Sequence, residues 1–458
     1  MSIDLALKSK NVLTPNGFVD RIVLIGDGKI IDVVNSIPIG DNSLSFGEGR
    51  GEVMITDAGD SIIMPGIIDP HVHINEPGRT EWEGFDTATK AAAAGGITTM
   101  IEMPLNASPV TTTKINFQTK LDAAKNKLHV NCGFWGGVVP DNLNELEELL
   151  DSGVFGLKAF LTHSGIDDFP NTNEEHLRKA LLTLKKYNKP LLVHCELDTI
   201  HDDLKFLDEN PKSYAAYLKS RPKSWENNAI KLMIDLCRET HARVHIVHLS
   251  SAESIEQIQK AKTEGLPLTV ETAPHYLFFN AEEIPDGATQ YKCAPPIREK
   301  ENNEKLWNAL RKGIIDFIAT DHSPALPELK EIESGNFKKA WGGVAGLQFS
   351  LPAVWTKARE KNIPITQMAK WLSENPAKFI GLENIKGKIQ KGFDADIVVW
   401  NPEKKFTVKE NMIQHRHKIT PYLNRELFGV AEQTYVNGRK VFDNGSFINL
   451  NCGKIMTF

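Results

Sequence analysis

The chain has 458 residues, of which 41% are hydrophobic, and this is enough for one large core and a smaller one. Its formal net charge of −6 disfavours nucleic acid or an anionic membrane surface as an obligatory partner. No apolar stretch approaches the roughly 20 residues of a membrane-spanning helix, and the first residues lack the apolar segment of a secretory signal. The five cysteines are dispersed without C-x-x-C spacing, which predicts free thiols in a reducing compartment. We therefore expect a soluble cytoplasmic protein.

The two ends of the chain carry β-strand patterns. Strand-like runs flank the turn signal Pro15-Asn16-Gly17 near the start, and Asn437-Gly438 predicts a tight hairpin turn near the end. Because the two sets of strands are similar in character, we predict that they join. Residues 1–56 and 383–458 would form one composite β-sandwich beside a central domain at residues 57–382.

The central residues alternate between strands and helices, the pattern of β/α units with a parallel sheet. This pattern predicts an α/β fold in which a (β/α)8 barrel with insertions lies beside the small sandwich. A doubly wound open sheet is the alternative, but no glycine-rich phosphate loop follows the first strand. The eight strand candidates lie at residues 62–73, 97–103, 130–139, 156–161, 190–195, 244–249, 266–272 and 314–321.

Polar side chains close several of these strands, at the end where barrel enzymes carry their catalytic groups. The first strand ends in an H-x-H pair whose side chains point to one side, because side chains alternate along a strand. This spacing alone is weak evidence. His415-Arg416-His417 repeats it in a charged, turn-rich stretch that we interpret as surface or loop. The whole set is hard to ascribe to chance, and its members are His71, His73, Lys158, His194, His248 and Asp321.

These six residues predict a site for two divalent metal ions. The H-x-H pair and Asp321 can hold the first ion, and His194 and His248 the second. Imidazole and carboxylate ligands suit Zn²⁺. A pair of such ions can acidify a water and polarise a carbonyl, which suits hydrolysis of an amide.

Lys158 and Asp321 have special roles in this hypothesis. Burial lowers the pKa of a lysine, and a neutral amine can react with CO2 to give a carbamate that bridges both ions. The alternative is a lysine paired with a nearby acid. Asp321 is the predicted catalytic residue, because a ligand with one free oxygen can take the proton of the water and pass it to the leaving nitrogen.

The sequence resembles the amidohydrolase superfamily, in the branch of cyclic-amide hydrolases that contains dihydroorotases, hydantoinases and allantoinases. The stretches NEPGR at 75–79, EWEG at 81–84 and MPLN at 103–106 are similar to those of allantoinases. The family's metal ligands match all six strand-end residues, with Lys158 as N6-carboxylysine. The resemblance covers essentially the whole chain. It implies hydrolysis of (S)-allantoin to allantoate, a small-molecule reaction of purine degradation, by a homotetramer.

Two departures separate this chain from other members of the branch. Dihydroorotases have H-x-H-x-R, in which the arginine binds the substrate carboxylate, whereas Asn75 stands here. A neutral amide cannot replace a bidentate guanidinium, and allantoin has no carboxylate. Hydantoinases usually carry a tyrosine just after the lysine of the fourth strand, and residues 160–165 contain none. Hydantoinase, dihydropyrimidinase or dihydroorotase activity remains the alternative with the same chemistry.

Substrate contacts are predicted only from their position in loops after the strands, and each candidate could equally shape its loop. Residues 162–173 are polar, contain glycine and proline, and predict a mobile lid. The candidate contacts are Asn75, Asn106, His275, Lys292 and Arg298.

Two functions from other classes are disfavoured. A non-catalytic oligomeric scaffold is expected to have lost a metal ligand, and all six are present. A dehydrogenase built on a barrel would require a dinucleotide fingerprint, and the sequence has none.

Overall fold

The computed structural model describes residues 2–37, 54–198 and 203–458. Its centre is a closed barrel of parallel strands that pair in chain order. The barrel closes where the N–H of His73 donates to the carbonyl of His322, beside the eighth strand, at 2.8 Å. The predicted barrel is confirmed. Its strands are Ile67–Val72, Ile97–Glu102, Asn131–Phe134 with Gly136–Gly137, Leu157–Phe160, Leu191–His194, Val244–Ile246, Leu268–Thr272 and Phe317–Ile318.

Helices connect the barrel strands and follow the last one. Glu174–Tyr187 shows how the sequence sets their limits, since Asn173 caps its first turn and Asn188, in the left-handed conformation, ends it. In the described part of the chain, no helix has the length and apolar character needed to cross a membrane. The other α-helices are Phe85–Ala94, Lys114–Ala124, Leu146–Asp151, Asp203–Glu209, Tyr214–Ser220, Lys223–Thr240, Ile255–Thr263, Pro274–Phe278, Lys300–Arg311, Ser350–Glu360, Ile365–Ala369 and Asn375–Phe379. A π-helical turn lies at Lys370–Glu374, and 3-10 turns lie at Pro140–Asn142, Ala252–Ser254, Ala281–Glu283, Thr289–Tyr291, Leu347–Phe349 and Glu410–Met412.

Strands from both chain ends join in one unit beside the barrel, and hydrogen bonds link them into a single nine-stranded sheet. Alternate residues of its strands face two cores. Ile62 and Met64 pack in the large hydrophobic core that the sheet shares with the barrel domain. Ile63 faces the other side and packs in a separate core of the sheet. Residues 38–53 of the predicted unit lie outside the described residues. The strands are Leu5–Thr14, Gly17–Gly26, Lys29–Val34, Met54–Asp57, Ile62–Pro65, Ile397–Thr407, Glu426–Val436, Arg439–Asp443 and Ser446–Phe447.

The predicted first strand, residues 62–73, is two strands in two different sheets. Ile62–Pro65 pairs with Leu5–Thr14 and Ile397–Thr407 in the terminal sheet, and Ile67–Val72 begins the barrel. The chain changes sheet at Gly66, where any side chain would collide with Thr98. Ile62–Pro65, which the sequence analysis assigned to the 57–382 domain, is therefore a strand of the terminal sheet.

Candidate metal centre

The carboxyl ends of the barrel strands surround a cavity of about 210 Å³. Parallel strands in a barrel end at one face, so residues that are far apart in sequence meet there. All six predicted strand-end residues are buried and line this cavity: His71, His73, Lys158, His194, His248 and Asp321.

The H-x-H pair and Asp321 form the first half of the site. Asp321 Oδ1 lies 3.2 Å from His71 Nε2 and 3.5 Å from His73 Nε2. One ligand atom from each of the three residues lies within 4.8 Å of the others, close enough for one ion. Burial lowers the pKa of His73 to about 4, so its imidazole is neutral and able to bind a metal.

Asp321 is ionised at this position. Burial opposes its charge, but the nearby His71 and His73 hold the pKa of its carboxyl well below the usual range. The backbone of Asp321 is left-handed, with φ of 47°, and that of His248 is also left-handed, with φ of 39°. Such conformations are uncommon for residues other than glycine and tend to occur at functional sites.

His194 and His248 form the second half. Nδ1 of His194 faces Nε2 of His248 at 3.0 Å, and burial lowers the pKa of both rings. Two neutral imidazoles with facing nitrogens can converge on one ion. The ring of Phe160 stacks on His194, with the centroids 4.8 Å apart, and covers its other side.

Lys158 is the strongest test of whether this site fits a metal. Among the residues that the structure describes, none forms a hydrogen bond or ion pair with its Nζ atom. The alternative of a lysine paired with an acid is therefore not met. Burial lowers the pKa of Lys158 to about 8. A buried amine without a partner is costly, whereas a carboxylated lysine would be an anionic ligand between the two halves.

The predicted substrate contacts divide into two groups. Asn106 and Lys292 line the cavity. Asn75 lies beneath it and donates from Nδ2 to the carbonyl of Pro324 at 3.2 Å.

The remaining two candidates are also absent from the cavity wall. His275 is buried, and burial lowers its pKa to about 4. Arg298 Nη2 lies 3.4 Å from the carboxylate of Glu226, which in turn accepts the N–H groups of Ser250 and Ser251. Arg298 Nη1 also donates to the backbone carbonyl of Arg221 at 3.3 Å, so Arg298 holds loops together without itself lining the cavity.

Sequence analysis missed the carboxylates that orient the histidines. Glu271 accepts a hydrogen bond from Nδ1 of His71 and another from His245, and it turns Nε2 of His71 toward Asp321. Burial opposes the charge of Glu271, but the two histidines hold its pKa at about 2. Glu271 closes the seventh strand, Leu268–Thr272, so the strand-end rule already contained the signal. Glu196 has the same relation to His194.

The loop after the fourth strand contributes part of the cavity wall. His163, Ser164 and Gly165 line it together with Trp341 from the loop after the eighth strand. Gly165 has φ of 99°, and a Cβ there would lie 3.1 Å from the Trp341 ring. The two loops thus meet over the cavity, and the mobility of residues 162–173 stays a prediction.

The second H-x-H pair, predicted as surface or loop, lies in a loop, but not all of it is at the surface. His415 lies in a loop but is fully buried, with its ring 5.7 Å from that of His322. Charged residues such as Arg416 make this stretch look exposed in the sequence. In the structure, Arg416 Nε donates to the backbone carbonyl of Glu83.

A (β/α)8 barrel with imidazole and carboxylate groups gathered at its strand ends is the arrangement of a barrel enzyme with its active site at that face. The model of the Amidohydrolase family matches residues 62–441. This match spans more than half of the sequence, and the chain belongs to the amidohydrolase family.

Two allantoinases and a hydantoinase are similar to this chain over nearly its whole length. The chain is 46% identical to an allantoinase of Arabidopsis thaliana over an alignment of 465 positions that covers 98% of this chain and 90% of the plant protein. It is 44% identical to an allantoinase of Streptomyces avermitilis over 448 residues, which cover 97% of each chain. Among solved structures, an L-hydantoinase (dihydropyrimidinase) from Arthrobacter aurescens superposes with a TM-score of 0.91 at 30% identity, over 100% of both chains.

Proposed function

We propose that the protein hydrolyses the hydantoin ring of (S)-allantoin to give allantoate, a step of purine degradation. One observation carries the proposal: a full set of candidate metal ligands lines one cavity in a chain that is 46% identical to a plant allantoinase over 98% of its length. The L-hydantoinase is also similar along the whole chain, but at 30% identity. Hydantoinase activity is therefore the second candidate.

The proposed centre holds two divalent ions, with Zn²⁺ as the metal that the donor set suits. The H-x-H pair and Asp321 would bind one ion, and His194 and His248 the other. Lys158, carboxylated by CO2, would bind both. When bound, such ions polarise a ring carbonyl and acidify a water.

The chain's own residues would then orient the reactants and move the proton. Asp321 carries no proton at neutral pH, so it can accept one from the attacking water. After the carbon–nitrogen bond of the ring breaks, Asp321 returns this proton to the leaving nitrogen. Glu271 and Glu196 keep the ring nitrogens of His71 and His194 directed into the site.

Of the predicted substrate contacts, Asn106 and Lys292 keep this role in the proposal because both line the cavity. Asn75, His275 and Arg298 do not line the cavity and are left out of this role. The walls also carry the guanidinium of Arg221, which pairs with Glu196.

The test compares racemic allantoin, dihydroorotate and an unsubstituted hydantoin, each incubated with protein loaded with Zn²⁺ in bicarbonate. Formation of allantoate from one enantiomer, with much slower turnover of the other two compounds, is the expected result. An Asp321→Asn variant prepared in parallel measures any contaminating activity. Faster turnover of hydantoin would favour the second candidate. Faster turnover of dihydroorotate would mean that a cation of the wall, Arg221 or Lys292, receives its carboxylate.

We further propose that the enzyme is a homotetramer in the cytoplasm. All five cysteines are free in the structure, in agreement with a reducing compartment. A relative from Aquarana catesbeiana is described as mitochondrial, so cell fractionation is needed for the location. Light scattering after size-exclusion chromatography tests the assembly, and a monomer mass would contradict it.

A further inference from the structure

A chain of hydrogen bonds leads from the second half of the site to the cavity wall. His194 Nε2 lies 2.7 Å from Glu196 Oε2. Glu196 also accepts from Arg221, whose Nε donates to Oε1 at 3.1 Å and whose Nη2 donates to Oε2. Glu196 is fully buried, whereas 23% of the Arg221 side chain is exposed.

The first half of the site is oriented by a different network. Glu271 joins His71 to His245, whose other ring nitrogen lies 2.8 Å from Thr269 Oγ1. Every carboxylate and ring of this network is buried, and among the described residues no lysine or arginine forms an ion pair with Glu271. The two halves also present opposite ring nitrogens: His71 presents Nε2 to Asp321, and His194 presents Nδ1 to His248.

We propose that Glu196 and Arg221 are positioning residues for His194, and that they secure the second metal ion independently of the first. This inference rests on the proposed function, because it takes His194 as a metal ligand. Glu196 accepts only from a ring that carries its proton on Nε2. The pair therefore holds the tautomer whose Nδ1 lone pair is available to a metal.

Arg221 makes this arrangement specific. Its two N–H groups occupy both carboxylate oxygens in the fixed fork geometry of a guanidinium, so the carboxylate cannot rotate away from His194. Arg221 directly follows the helix Tyr214–Ser220, and its guanidinium lies 5.5 Å from the ring centroid of Trp225. The position of this helix therefore sets the position of Arg221 and, through Glu196, that of the His194 ring.

The first experiment titrates metal-free Glu196→Gln with Co²⁺ in bicarbonate and follows binding by absorbance and by metal analysis. An amide can donate to Nε2 and so favour the tautomer with a proton on Nδ1, which blocks the metal. We expect the second ion to bind about 10- to 100-fold more weakly, as for other partners of metal-bound histidines, while the first binds as in the wild type. Unchanged affinity for both ions would overturn the inference.

The second experiment removes the cation. Arg221→Ala should also lose affinity for the second ion, and added guanidinium, which can occupy the vacated space, should restore part of it. The matched control is Arg178→Ala, because Arg178 makes the same two-oxygen contact with Glu239 on the surface. If Arg221→Ala unfolds at the same temperature as the wild type and added guanidinium does not restore its affinity for the second ion, the role of Arg221 is contradicted.

These results separate the inference from the proposed function. Wild-type protein that binds only one ion would refute the two-ion centre and, with it, the inference. Two ions in the wild type and two equally tight ions in Glu196→Gln would refute the inference alone. Weaker binding of both ions by Glu196→Gln would contradict independent control of the two halves of the site.

Discussion

Lys158 should destabilise the metal-free protein. Its amine is buried without a hydrogen bond or ion pair among the described residues, and burial lowers its pKa from 10.5 to about 8. A shift of this size corresponds to about 3 kcal/mol of lost stability for the charged form. Lys158→Met has similar length and no charge, so metal-free Lys158→Met should be about 3 kcal/mol more stable than metal-free wild type at pH 7.

The direction in which stability changes with pH follows from the lowered pKa of Lys158. The folded pKa is depressed, so between pH 8 and 10.5 the unfolded chain binds a proton that the folded chain does not, and stability rises with pH. The penalty is complete below pH 8 and should fall below about 1 kcal/mol at pH 10. Urea unfolding of both metal-free proteins at pH 7 and pH 10 measures it.

Bound metal should reverse the order of stability, so that the wild type becomes more stable than Lys158→Met. With Zn²⁺ and bicarbonate, the wild type should gain stability from bound metal that Lys158→Met cannot fully gain, because the variant lacks the shared ligand. Lys120→Met is the control: Lys120 is equally buried but paired with Glu102, so its loss removes the partner of a buried acid and should lower rather than raise stability. Equal stability of wild type and Lys158→Met at pH 7, or a difference that does not change with pH, would refute the reasoning.

Three further predictions concern the same site. Asp321→Asn should lower kcat by at least about 100-fold, because an amide cannot take a proton from water, and isothermal titration should still detect substrate binding. Arg298→Met should lower the free energy of unfolding by about 3–5 kcal/mol, since it removes the cation paired with the buried carboxylate of Glu226, while KM for allantoin stays unchanged; a raised KM would restore Arg298 as a substrate contact. Chelation should abolish activity, and Zn²⁺ with bicarbonate should restore more activity than Zn²⁺ alone if Lys158 is carboxylated.

The strand-end residues could be predicted because their signal is local. Each of them closes an apolar run or lies near its end, and in a parallel barrel every such run ends at the same face, so chain order is enough to bring His71, His194 and Asp321 together. The same rule would have found Glu271, which closes the seventh strand. Substrate contacts follow no comparable rule, because the direction of a loop side chain depends on its neighbours.

The sequence by itself determined the barrel, the joining of the chain ends and the set of candidate ligands, since periodicity and strand ends are properties of short segments. Only the tertiary structure decided the pairings between distant residues. Arg221 reaches Glu196 across 25 positions, and Arg298 reaches Glu226 across 72. It also placed Ile62–Pro65 in the terminal sheet, because both halves of the predicted strand are apolar and only their different pairing partners distinguish them. Such choices depend on which surfaces meet once the chain is folded, and no local pattern encodes them.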